Sequence, residues 1–153
     1  MSGIIGSSNF GRASAMIAAA AAGDNTPFIL VTKSSSQGVT RGGWSKVTWD
    51  TETVDSDGAF ASDKFTVPAN EGGRYHIHVR FNINSNGGST KIGMYKNGSH
   101  VYSSSNESND NTVETNWIVN LAATDYIETY SYAGEPSPSV QTDSFFSAWK
   151  IIE

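Results

Sequence analysis

Period-two hydrophobic alternation, frequent turn dipeptides and a composition poor in charge predict an all-β protein, a β-sandwich or jelly roll of two antiparallel sheets. Only 16% of the 153 residues are charged, and 15 are glycine. The length fits one domain, which buries roughly 68–70% of the surface that the unfolded chain exposes. A short N-terminal arm with a different composition precedes it.

The strands follow in order from Pro27. Phe28–Thr32 is a short, nearly continuous apolar run, and Trp44–Trp49 carries aromatic and β-branched residues. Tyr75–Asn84 is the clearest strand. Tyr75, Ile77, Val79, Phe81 and Ile83 alternate with His76, His78, Arg80, Asn82 and Asn84. Lys91–Lys96 runs into Asn97-Gly98, a hairpin signal because both turn positions need positive φ, and His100–Tyr102 returns from it. Val113–Leu121, Tyr126–Tyr132 and Ser144–Ile152 complete about seven to nine strands. Turn-rich pieces separate them, among them 85–88, 103–111 and 134–138.

The last strand is apolar on both faces, with Phe146, Ala148 and Ile152 on one and Phe145, Trp149 and Ile151 on the other. A sandwich strand normally shows one face to water. A cover is therefore expected, either the N-terminal segment or another subunit.

Residues 1–26 form the arm, and 27–153 the jelly-roll domain. The arm opens Gly/Ser-rich and continues into an alanine-rich stretch that reads as a helix from about Arg12 to Ala22. Alanine is the best helix former, and Gly23 stands where such a helix would end. So short a helix is marginal alone in water. Ile4, Ile5, Phe10, Met16 and Ile17 would be idle on a solvated tail, so they are expected to anchor the arm to a partner.

Composition also excludes functions. With no cysteine there is no disulfide, thiolate metal site or cysteine nucleophile. A formal charge of −5 without a basic run argues against nucleic-acid binding. The longest apolar run, Ala15–Ala22, is too short to span a bilayer, and the N-terminal stretch lacks the pattern of a signal peptide. No Gly-x-Ser-x-Gly elbow or phosphate loop is present, so no enzyme activity and no cofactor are expected. His76 and His78 project from the same strand face at metal-like spacing, but a zinc site needs three or four ligands. Polar interface packing fits the pair better, with an anion or water cluster near Arg80 as another reading. Asp55, Asp57 and 106–111 offer oxygen ligands without calcium-loop spacing and read as solvated turns. Tyr126, Tyr130, Tyr132 and Trp117 would stack on sugars if exposed; their strand positions point instead to core or interface.

The order of these signals resembles the complement component one q and tumour necrosis factor superfamily of trimeric jelly rolls. It is carried by Val47–Asp50, Asp57–Phe60, Phe65–Pro68, Gly73–Tyr75, Met94–Gly98, Val119–Leu121, Asp125–Ile127 and Ser144–Trp149, in an order that spans 28–152, about 125 residues. Thr124 and Ala148 stand where that family has glycines. The resemblance implies a homotrimer whose inner sheets face a threefold axis, with His76, His78, Arg80, Ile118, Phe145, Trp149 and Ile151 at the interface, and Asn116 joining them. It also implies that calcium is sometimes held near the top of the trimer.

A disulfide-free module of this type resembles versions found in bacteriophage particles. The expectation is a virion protein at the particle surface: a capsid decoration or cement trimer whose arm binds the major capsid protein or another virion protein. The alternative is a receptor- or glycan-binding tip, or adaptor, of a tail fibre.

Overall fold

The computed structural model of the chain describes residues 25–84, 89–106, 111–134 and 136–151. Among these residues there is no helix. The strands are β1 (Phe28–Thr32), β2 (Gln37–Gly38), β3 (Trp44–Lys46), β4 (Thr51–Asp55), β5 (Phe60–Ala61), β6 (Lys64–Thr66), β7 (Gly73–Asn84), β8 (Thr90–Lys96), β9 (Ser99–Asn106), β10 (Thr112–Leu121), β11 (Tyr126–Ala133), β12 (Ser139–Val140) and β13 (Phe145–Lys150). The expected arm helix and the anchors Ile4, Ile5, Phe10, Met16 and Ile17 lie outside the described residues.

The strands form two antiparallel sheets. In the first, β7 is flanked by β10 on one side and by β13 and then β12 on the other. Beyond β13 come β1 and β4, and β2 pairs with β12. In the second, the order is β5-β6-β11-β8-β9, with β3 also pairing β11. Several strands that lie next to each other in this pattern are far apart in sequence, such as β1 and β13, as a jelly roll requires.

The core fills the gap between the sheets. Along β7 the alternation read from the sequence holds over the whole strand: Tyr75, Ile77, Val79, Phe81 and Ile83 are fully buried, and their neighbours are not. Phe146 and Ala148 of β13, and Ile29 and Val31 of β1, meet them from the same sheet. Phe65, Ile92, Met94 and Ile127 face them from the second. Trp49 enters from the connection between β3 and β4. Its indole Nε1 donates to Thr129 Oγ1 at 3.1 Å, and its ring sits 6.0 Å from Phe81 and 6.1 Å from Phe146.

That placement explains one departure from expectation. The run Trp44–Trp49 is strand only as far as Lys46. The Asp63 carboxylate accepts from the Trp49 backbone N–H at 2.8 Å, turning the chain so that the indole points inward. The strand β4 that follows is largely exposed and acidic at Glu52 and Asp55. It pairs only with β1 and forms a sheet edge, where charge is expected and apolar alternation is weak.

Turn chemistry fixes the register elsewhere. Asn97 and Gly98 both take positive φ, 52° and 78°, as a two-residue hairpin between β8 and β9 demands. Asp125 then ties this hairpin to the β10–β11 turn. It accepts from Asn97 Nδ2 at 2.7 Å, from Lys96 Nζ at 2.7 Å and from the Ala122 backbone N–H at 2.8 Å. The bond from Lys96 first, and the others with it, hold the Asp125 carboxyl down to about 2. Next to it, Thr124 sits at φ 72°, a left-handed conformation costly for a β-branched residue.

Candidate functional site

The outward face of the first sheet collects most of the side chains singled out from the sequence. Register places Ile118, His76, Trp149 and Phe28 in one row across β10, β7, β13 and β1. The next row is Asn116, His78, Ser147, Leu30 and Val54, and a third is Glu114, Arg80, Phe145 and Thr32. Ile118 is 65% exposed, the most open of the large apolar side chains among the described residues. Trp149, Phe145, Phe28 and Leu30 are half-buried within the single chain. Ile151 follows β13, half-buried, its backbone N–H bonded to Arg74 O at 2.8 Å.

The polar groups of this face are embedded among aromatic rings. The His76 ring stacks on Trp149 at 4.1 Å between centroids. His78 meets the Phe145 ring at 4.8 Å, edge to face, and its Nε2 lies 2.6 Å from Glu114 Oε1. Two nitrogens are buried without a hydrogen-bond partner, His76 Nδ1 and Arg80 Nε. Unpaired buried polar atoms are rare in finished structures and costly. Burial first, and then the neighbouring His78, lowers the pKa of His76, so its neutral form is favoured.

A second apolar surface opens at the edge between β9 and β10, where the two sheets part. Val101 and Tyr102 are 40% and 47% exposed, and Ile118 overlooks them from β10. Tyr102 stacks on Trp117 at 6.5 Å. A groove of about 470 Å³ lies here, floored by Met94, Val119, Leu121 and Ile127 and rimmed by Arg74 and Lys96. Sequence reading placed Ile118 on the first face but did not single out Val101 or Tyr102. The only signal was their position after the hairpin, which says that a strand begins and not which way it faces.

Other candidates are absorbed by the fold. The Asp55 carboxylate accepts from the backbone N–H groups of Ala59 and Phe60, at 2.7 and 3.2 Å, and the Asp57 carboxylate accepts from Ser56 at 2.7 Å. These oxygens shape a turn. Among the described residues, no group of three or more His, Asp or Glu gathers as metal ligands. Residues 107–110 of the other acidic stretch lie outside the described residues.

The aromatic residues divide. Trp117 packs partly on the core. Tyr126, Tyr130 and Tyr132 do not belong to the core; they are half-buried on the outward side of β11, and Tyr130 stacks on Tyr95 at 3.9 Å. Trp44 and His100 join that group, at 5.6 Å from Tyr132 and 5.2 Å from Tyr95 respectively. Sequence reading missed Trp44, Tyr95 and His100 as a cluster because three different strands bring them together.

No family model matches the chain, and no curated protein matches it. Solved structures do. The globular domain of zebrafish complement 1qA superimposes with a TM-score of 0.61 at 16% identity, over 84% of this chain and 99% of that one. Murine APRIL at pH 8.0 gives 0.64 at 11% identity, over 81% and 98%. The same protein at pH 5.0 gives 0.63 at 9% identity, over 81% and 98%. At these identities the likeness is one of fold: a jelly roll, as in these solved structures.

Proposed function

We propose that the chain is a non-enzymatic structural protein that assembles as a homotrimer through the outward face of its first sheet and decorates a bacteriophage capsid, held there by residues 1–26. The observation that carries the assembly is the row Ile118, His76, Trp149 and Phe28, apolar or aromatic across four strands, on a face that also leaves His76 Nδ1 and, two rows along, Arg80 Nε buried and unpaired. Such a face is not a finished surface.

Two different apolar patches on one chain favour a ring. The face of Phe28, Leu30, Phe145 and Trp149 is distinct from the edge of Val101 and Tyr102, with Ile118 on the border between them, so face-to-edge packing is head-to-tail and closes only as a cyclic oligomer. The fold likeness favours three subunits. His76, His78, Arg80, Ile118, Phe145, Trp149 and Ile151 then lie at or beside the interface.

The arm joins the domain at this same face. Asn25 and Thr26 line a cleft with Phe28 and Trp149. Ile4, Ile5, Phe10, Met16 and Ile17 are the residues by which the arm grips the capsid protein or another virion protein. Three arms on one trimer add avidity, so each attachment is weak alone. The work done is bridging, with no reaction.

The test compares the full chain with a chain beginning at Asp24, by mass in solution and by binding to undecorated phage shells. Trimers in both cases, with shell binding by the full chain alone, are the expected result. Monomers in both cases reject the assembly face, and shell binding without the arm rejects the anchor. A second reading, a receptor- or glycan-binding tip or adaptor of a tail fibre, is favoured by the aromatic surface on the second sheet.

A further inference from the structure

The outward face of the second sheet carries a built aromatic platform. Trp44 of β3 pairs with Tyr132 of β11, and the next residues on this face of β11 and β8, Tyr130 and Gly93, pair with each other. A Cβ at Gly93 would lie 2.7 Å from Trp44 Cζ3, 3.1 Å from Cε3 and 3.2 Å from Cη2. The near equality of these distances puts the glycine under the face of the ring rather than at its edge. The indole is therefore laid flat on the sheet in a gap that only glycine leaves. Around it stand His100, Tyr132 and Tyr95, with ring centroids 5.4, 5.6 and 6.4 Å from that of Trp44.

The polar atoms of this group are open. Among the described residues, Trp44 Nε1, the hydroxyls of Tyr95, Tyr130 and Tyr132, and the His100 imidazole make no hydrogen bond to another group. None of them is among the stranded buried atoms, so each reaches solvent. Ser103, opposite Gly93 on β9, and Ser105, opposite Lys91, add hydroxyls at the margin. Charge is low: Lys46 is neutralised by Glu128 at 2.8 Å, and Lys91 lies 5.3 Å from the Tyr132 ring centroid.

We infer that this platform is a carbohydrate-binding site that takes a pyranose ring of a neutral or weakly acidic glycan, stacked by its C–H face on Trp44. A flat ring ringed by free donors and acceptors matches a ligand with one apolar face and hydroxyls around its rim. Protein interfaces are also rich in Tyr and Trp; what sets this platform apart is its ring of open donors and acceptors, which the hydroxyls of a sugar would satisfy. A polyanion would call for a basic cluster; here Lys46 is paired with Glu128, and Lys64 and Lys91 stand apart, over Tyr126 and Tyr132. The site lies on the opposite side of the sandwich from the assembly face, so it stands whether or not the trimer does. It gives the second reading above a location.

The experiment is nuclear magnetic resonance of the full chain, following the Trp44 indole N–H signal and saturation transfer to sugar C–H protons. The probes are hexasaccharides of glucose, galactose, mannose and N-acetylglucosamine, each at up to about 10 mM. At least one is expected to shift the Trp44 signal and take up saturation. Trp44→Ala is expected to weaken that binding by at least about tenfold. Ser103→Arg, at an exposed position that leaves the core alone, is expected to do the same by crowding the ring. Solution mass, measured alongside, reports separately on assembly. The inference is overturned if no probe moves the Trp44 signal, if both variants bind as the parent does, or if a proline-rich decapeptide shifts that signal and the sugars do not.

Discussion

The two outward faces of this sandwich are both aromatic, and they differ in how their polar atoms are served. On the first sheet, Trp149 and Phe145 cover His76 and His78, while His76 Nδ1 and Arg80 Nε are buried and unpaired. On the second, Trp44 lies on Gly93 with its neighbours packed around it, and the polar tips reach solvent. On the reading proposed above, the first face awaits a cover, whereas the second presents a surface. Aromatic content alone does not separate a buried interface from a binding platform. The fate of the polar atoms does.

This contrast breaks most decisively at Ile118. Ile118→Arg places a charge on a side chain that is 65% exposed in the single chain, so the monomer is expected to fold normally. In the assembled form the charge would be buried without a partner, which costs about 3–5 kcal/mol. Sedimentation is expected to show the mass fall from trimer to monomer. An unchanged mass would remove Ile118 from the interface.

Gly93→Val tests the other face. The new Cβ would meet Trp44 Cζ3 at 2.7 Å, so the indole must lift. Overpacking of this kind costs about 1–3 kcal/mol. Thermal melting is expected to fall while solution mass stays that of the parent, the reverse of the Ile118 result. If melting were unaffected, the close seat of Trp44 on the strand would be wrong.

Thr124 belongs to neither face and sets the scale for a purely local effect. Thr124→Gly relieves a β-branched residue at φ 72° and is expected to stabilise the domain by about 1 kcal/mol, read from denaturant unfolding. Loss of stability would mean that the hydroxyl or methyl of Thr124 contributes more than its backbone costs.

The smallest effect is expected from pH. Burial and the neighbouring His78 lower the pKa of His76, so the unfolded chain takes up a proton more readily than the folded one. Stability from this group is present above its ordinary value of 6.5 and is lost as pH falls below it. Melting measured at pH 8 and pH 5 is expected to be lower at pH 5, and more so in the parent than in Ile118→Arg, because the proposed assembly would bury His76 further. Identical shifts in both would place His76 outside the interface.

Much of the fold is legible along the chain because it is written in local chemistry. The alternation of Tyr75–Asn84 sets which side of β7 is core, and Asn97-Gly98 sets the hairpin, since both depend on neighbours in sequence. The acidic edge strand Thr51–Asp55 was not legible, because an edge strand needs no apolar period. Even Thr124, conspicuous as a non-glycine in the family-like motif, reveals only in the fold that its backbone takes the left-handed conformation that a glycine would adopt freely.

The candidate sites divide in the same way. His76, His78 and Arg80 share a face by virtue of period two alone, and Phe145 and Trp149 join it by the same rule, so the sequence by itself determined which side chains lie on this face. Which residues stand beside them was decided by the register of β10 and β13 on β7 and of β1 on β13, and that register joins segments some thirty to a hundred and twenty residues apart. The Trp44 platform is wholly of this second kind. No local pattern connects Trp44 with Gly93, Tyr95, His100 and Tyr132; only the pairing of β3, β11, β8 and β9 lays the indole over a glycine and leaves the polar atoms around it open.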